Sequence, residues 1–334
     1  MNNPKNPQIG LVLAGGGAKG AYQAGALRYL AEIDLQPQII AGTSIGALNG
    51  AVVAANMSFD NAVEDLDRIW QKLGETKVIN PHKNIAATTL HHAAKAFIPT
   101  FRHWLIDFAI KTGISNNRAL LDPQPIETIL KQVVNANALR NGIELWVTVF
   151  PSLKIPGLDY DWLIDIIRSQ TGTKAQWLWV GDCQNDETIY NLLLASAAIP
   201  FAFPQREVNG KYYVDGALGD NIPLGALAAR GCTHAIVIHL DSGAIWNRHD
   251  FPQQTVIEIR PEKINSNDIP LVGEIHSILD FSPENIAYLK QMGYRDARRC
   301  LEPILQTLVK VKQQRQIEKS LLYSTQMLLD DEPL

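Results

Sequence analysis

Apolar residues along this chain follow two periods in turn. Short continuous runs alternate with stretches where they recur every three or four positions. Ile9 to Ala14 is a run of the first kind, ending in glycines, and Tyr22 to Glu32 then takes helical spacing. Ile39 to Ala41 and the helix Ile45 to Asn56 repeat the pair. Ala62 to Leu73 predicts another helix, with Leu66, Ile69, Trp70 and Leu73 on one face. Leu145 to Phe150, Gln176 to Val180, Lys211 to Val214, Ala235 to Leu240 and Val256 to Arg260 read as strands. Glu187 to Ala198 reads as a helix ended by Pro200, and from Pro283 onward the pattern is helical with mixed charge. Continuous apolar strands imply burial on both faces. Alternation of strand and helix implies a mostly parallel sheet between helical layers. The expected fold class is therefore α/β, a three-layer α/β/α arrangement with a mostly parallel central sheet. No repeat, low-complexity stretch or linker divides the chain. Residues 9–225 are expected to form the core, and 226–334 to add the remaining strands and C-terminal helices of the same domain.

Composition narrows this picture modestly. A chain of 334 residues can bury a large core. Its formal net charge of −4 supplies no basic field for nucleic acid, and no nucleic-acid partner is expected. Cys183, Cys232 and Cys300 lie far apart with no CxxC, which reads as structural thiols in a reducing compartment. The N-terminal residues lack the apolar stretch of a signal peptide, and no window approaches the ~20 apolar residues that span a bilayer. A cytoplasmic protein is expected, with peripheral contact at a membrane left open.

Three short segments carry candidate chemistry. In IIAGTSIGALNG, an apolar run meets a sharp turn and then a small-residue helix, with Ser44 at the apex between Gly42 and Gly46. This is the pattern of a nucleophile elbow, in which a strained turn pushes the hydroxyl outward. A free serine is a poor nucleophile and needs a base. GGGAKG, residues 15–20, matches G-x-G-x-x-G after the first strand. The dinucleotide reading requires an acid at the tip of the second strand, whereas Asp34 precedes that strand. No phosphate-binding G-x-x-x-x-G-K-[ST] is present either. Backbone N–H groups at a helix start can instead hold an oxyanion, although a purely structural turn also fits the pattern. In the third segment, Asp215 follows the strand KYYV beside Gly216. Taken alone, this fits an Asx turn as well as a strand-end base.

Taken together, GGGAKG, GTSIG and DGA resemble the patatin family of lipid acyl hydrolases, the patatin-like phospholipases. The likeness continues through RIW, SNNRALLDP, ASAAIPFAFP and DNIP, and covers residues 9 to about 300. It implies a patatin-like fold and a Ser-Asp dyad, with Ser44 as nucleophile and Asp215 as its partner. It also implies an oxyanion hole from the amides of Gly15, Gly16, Gly17 and Ala18, a lipid ester as substrate, and no metal or organic cofactor. Lys19 stands where the family often has arginine. A carboxylate of ordinary pKa is a weak base for serine, so burial of Asp215 would have to strengthen it.

Other readings remain. A Ser-Asp-His triad would recruit His239, at the end of AIVIHL. The same dyad would serve an acyltransferase or thioesterase, and an inert serine would leave a lipid- or nucleotide-binding module. His82, His91, His92 and His103 lack metal-ligand spacing. They lie in or near residues 82–113, where two apolar helical faces, Trp104 and an excess of Lys and Arg suit a cap resting on a membrane surface. Burial of the same faces in the core is the competing expectation.

Overall fold

The computed structural model describes residues 9–76, 123–153, 172–199, 203–242, 247–262 and 280–330. Its strands are β1 (Ile9–Leu13), β2 (Ile39–Thr43), β3 (Glu144–Pro151), β4 (Gln176–Trp179), β5 (Arg206–Val208), β6 (Lys211–Asp215), β7 (His234–Ile238) and β8 (Thr255–Ile259). Its helices are α1 (Gly20–Glu32), α2 (Ile45–Ala55), α3 (Phe59–Glu75), α4 (Gln124–Val133), α5 (Ala136–Asn141), α6 (Asp186–Ser196), α7 (Leu224–Ala229) and α8 (Pro283–Asp330). One sheet holds all the described strands in the order β5-β6-β3-β2-β1-β7-β8, with β4 also paired to β3. β3, β2, β1, β7 and β8 are parallel. β4 and β6 run antiparallel to β3, and β5 antiparallel to β6. The mostly parallel sheet expected from the alternation is present.

Alternate residues of β1 show why its sequence is apolar throughout. Leu11 and Leu13 point into a core shared with α1, α2, α3, α6 and the first turns of α8. Val12 points the other way, toward Leu224 and Leu227 of α7 and Val237 of β7. Both faces are covered, one by a thick helical layer and the other, among the described residues, by the short α7. The first turns of α8 bury Ile286, Leu289 and Leu301, whereas from Thr307 to Gln326 the helix is exposed. Among the described residues no helix is long and apolar enough to cross a membrane.

Strand ends differ from the sequence pattern in one place that matters. The expected strand Ala235 to Leu240 closes at Ile238, and His239 lies just beyond it, its amide donating to Ile259 O at 3.0 Å. β5 and α7, of three and six residues, are too short for a period to register in sequence. α4 and α5 likewise were not anticipated; Asn135 caps α5 by accepting from Ala138 N at 3.0 Å. Residues 82–113, their histidines and most of SNNRALLDP lie outside the described residues.

Candidate active site

The elbow is built by close packing of backbone. A Cβ on Gly46 would run into the carbonyl of Leu13, and one on Gly42 would lie 2.7 Å from Ala47 Cα. Only glycine lets α2 start this close to β1 and fold back on β2. Ser44, between them, takes φ +54° and ψ −126°, a strained conformation for a side-chain-bearing residue. It occupies the N-cap position of α2, where a serine oxygen usually accepts from the first turn of its helix. Here it makes no such bond. Its Oγ instead donates to Asp215 Oδ2 at 2.7 Å.

Strand register brings that partner into reach. Thr43, the residue before Ser44, pairs with Thr148 of β3, and the next residue of β3, Val149, pairs with Asp215 of β6. Ser44 and Asp215 therefore flank β3 at the same level, two ladder steps or about 10 Å of backbone apart. Their side chains close the gap. β6 pairs with β3 only along its last residues, from Val149 to Pro151, and this register sets the C-terminal residue of β6 at the level of the elbow. Asp215 is completely buried. Its Oδ1 accepts from Ala217 N at 2.8 Å, and its own N–H donates to Ala198 O at 2.9 Å. Burial pushes its carboxyl up to about 7, against the opposing pull of the Ala217 N–H and the Ser44 hydroxyl. The Asx-turn bond and the serine bond use different oxygens, so the first does not exclude the second.

The glycine loop closes over the other side of Ser44. A Cβ on Gly15 would sit 3.0 Å from Ser44 Cβ. Gly15 N–H is already engaged, donating to Asn221 Oδ1 at 3.0 Å. Among the described residues the N–H groups of Gly16, Gly17 and Ala18 meet no protein acceptor. Gly17 has φ +59° and opens a short 3₁₀ turn, Gly17–Lys19, that leads into α1. Lys19, almost fully buried, forms an ion pair with Asp241 beyond β7. Its ammonium thus ties the far end of the loop to the neighbouring strand end.

His239 is not brought to this cluster. It is buried, its Nε2 lies 2.9 Å from Glu258 Oε2 of β8, and Arg260 holds that same carboxylate. Burial, reinforced by Arg260, lowers the imidazole to about 4 against the pull of Glu258. It is neutral near pH 7 and faces β8. Two other residues do join the site. Ser196, the last residue of α6, accepts from Ser44 N at 2.9 Å and donates to Thr148 O at 2.6 Å, bracing the elbow against β3. Thr43 Oγ1 donates to Asp220 O at 3.0 Å. Both new partners, and Asn221, lie within the family-like segments ASAAIPFAFP and DNIP. Yet they act across 152 to 206 residues of chain, and no local pattern signals that.

Beside the elbow, Ile45, Leu48, Asn49 and Val52 of α2 line an apolar cleft closed by α3, α4 and Phe281. Asn49 is satisfied within it: it donates to Gly20 O and Gln23 Oε1 and accepts from Trp70 Nε1.

A family profile described as patatin-like phospholipase matches residues 11–228. A lysophospholipase nte1 of Aspergillus terreus is 31% identical over 119 residues, covering 33% of this chain and 8% of that protein. Patatin-like phospholipase domain-containing protein 7 of Rattus norvegicus is 55% identical over 51 residues, covering 15% of this chain and 4% of its own length. The chain thus spans under a tenth of these relatives. The solved structure of VipD from Legionella pneumophila aligns over 89% of this chain and 67% of its own, at 16% identity and TM-score 0.46. Human GIVD cytosolic phospholipase A2 aligns over 93% and 62%, at 10% identity and TM-score 0.46.

Proposed function

The chain belongs to the patatin-like phospholipase family, and we propose that it hydrolyses the acyl ester of a phospholipid or related lipid through an acyl-Ser44 intermediate. The observation that carries this reading is the 2.7 Å bond from a strained, elbow-borne Ser44 to a buried Asp215. Ser44 Oγ attacks the carbonyl carbon while its proton passes to Asp215 Oδ2. Negative charge then builds on the carbonyl oxygen, and the free amides of Gly16, Gly17 and Ala18 stabilise it; Gly15 supplies the turn. One such donor is worth ~10²–10³ in rate. Collapse expels the alcohol, which takes the proton from Asp215. In the second half-reaction Asp215 accepts a proton from water, hydroxide adds to the acyl carbon, and Ser44 leaves with that proton. Asp215 suits both halves because its carboxyl, pushed up to about 7, is a stronger base than an ordinary carboxylate and is still about half ionised at neutral pH. The apolar lining that begins at Ile45, next to the nucleophile, favours an apolar acyl group as the group transferred.

Several of the relatives are named lysophospholipases, which makes a lysophospholipid the first substrate to try. The test is product analysis across lysophospholipid, phospholipid, acylglycerol and acyl-thioester substrates, with Ser44→Ala as control. Release of free fatty acid from an oxygen ester, absent in the control, is expected. Acyl transfer to an added alcohol in place of hydrolysis, or turnover of the thioester alone, would overturn the hydrolase reading.

A further inference from the structure

The loop that follows the base touches each working part of the site. β6 ends at Asp215, and Gly216–Leu218 makes one 3₁₀ turn. Gly219 N and Asp220 N both donate to Gly216 O, at 3.0 and 2.9 Å. Asp220 completes the turn with its Oδ1, which accepts from Ile222 N at 3.1 Å, and ties it to β4 with its Oδ2, which accepts from Trp177 Nε1 at 2.9 Å. The carbonyl of Asp220 receives the Thr43 hydroxyl, one residue before the nucleophile. Asn221 does nothing for its own turn. Its carboxamide reaches the glycine loop, 206 residues away in sequence, where Oδ1 accepts from Gly15 N at 3.0 Å and Nδ2 donates to Gly15 O at 3.3 Å.

We propose that Asn221 is a positioning residue that aims the oxyanion donors. The argument rests on the hydrolase reading above and on peptide planarity. Gly15 C=O and Gly16 N–H belong to one planar trans peptide and point in opposite directions. Holding Gly15 O with Nδ2 therefore fixes the direction of Gly16 N–H. Gly15, Gly16 and Gly17 have no side chains to hold them, and glycine has the widest backbone freedom of any residue. Without an external clamp this peptide plane would swing, and a donor aimed at the wrong point stabilises little. Because the clamp and the base sit on one short loop, donors and base are set by the same segment.

The test compares a p-nitrophenyl ester with its thionoester, in which the carbonyl oxygen is sulfur. Sulfur is larger and a weaker acceptor, so an aimed oxyanion site discriminates between the two in kcat/KM. In Asn221→Ala, kcat on the oxygen ester is expected to fall about 10–100-fold, with KM changed less than about threefold. The ester-to-thionoester ratio should fall about tenfold or more. Asn221→Asp keeps an acceptor for Gly15 N–H but removes the Nδ2 donor. It is expected to lose the ratio nearly as far, and it carries the test if the alanine variant fails to fold. A ratio unchanged in both variants, or equal loss on both substrates, overturns the clamp alone. A wild-type protein inert toward both esters overturns the hydrolase reading beneath it.

Discussion

Two buried groups stand at strand ends of the same sheet, on either side of β3, β2 and β1, and both are candidates for the base that Ser44 needs. Asp215 closes β6, and His239 follows β7. Both are fully out of water, and burial drives each toward its neutral form: the carboxyl up to about 7, the imidazole down to about 4. They differ in company. Asp215 faces a hydroxyl and a backbone N–H, and no cation is among the groups that shift it. His239 faces Glu258, with Arg260 on the same carboxylate and the Lys19–Asp241 pair nearby. Burial beside a neutral partner leaves a carboxyl of raised pKa in contact with the Ser44 hydroxyl. Burial inside an ion-pair network leaves a neutral ring held against Glu258. The difference between site and scaffold is set by partners, since burial is equal.

Breaking the comparison by mutation gives the largest effect. Ser44→Ala and Asp215→Asn are each expected to lower kcat on a soluble ester by ~10³-fold or more, as when serine hydrolases lose a member of their catalytic unit. His239→Gln should stay within several-fold. Equal losses at Asp215 and His239, in variants with a native circular dichroism spectrum, would put the base at the wrong strand end. Next in size is Gly17→Pro, which deletes an N–H and forces φ from +59° to near −65°. Turnover is expected to fall ~10²–10³-fold, with substrate binding largely kept.

Smaller, but sharper as a comparison, are the pH dependences of stability. Asp215 has a folded pKa above its ordinary value of 3.8, so between about 4 and about 7 the native state holds a proton that the unfolded chain has lost. Its effect is to lower stability as pH rises through that window. His239 has a folded pKa below its ordinary 6.5, so between about 6.5 and about 4 the unfolded chain binds a proton that the native state refuses. Its effect is to lower stability as pH falls. Asp215→Asn should therefore raise Tm by a few degrees at pH 8, with the gain shrinking toward pH 4. His239→Gln should help only on the acid side. Melting curves of both variants from pH 4 to pH 8 check the two signs; matching slopes would contradict them.

Much of this site was legible because strand, turn and helix signals are local. The elbow around Ser44 and the strand-end position of Asp215 follow from apolar runs stopped by glycines. The 82–113 cap lies outside the described residues and is untouched by these results. The missing parts depended on register. Nothing in KYYVDGA says that β6 pairs antiparallel with the end of β3 with Asp215 opposite Val149, the register that brings Asp215 level with Ser44. Nor does ASAAIP say that Ser196 braces the elbow, or DNIP that Asn221 reaches Gly15. His239, recruited only by the alternative triad, is a different case. Its apolar strand suggested a shared edge with the nucleophile, but β7 closes early and the imidazole turns to β8.

The central claim is that Ser44 is activated by a carboxyl that burial has moved toward neutrality. Fluorophosphonate labelling of Ser44, followed by peptide mass mapping from pH 5 to pH 9, tests it without choosing a substrate. The labelling rate is expected to rise with pH through an apparent pKa near 7 and to fall to background across the range in Asp215→Asn. A wild-type Ser44 that stays unlabelled, or one labelled at the same rate at pH 5 and pH 9 and unaffected by Asp215→Asn, would contradict the account.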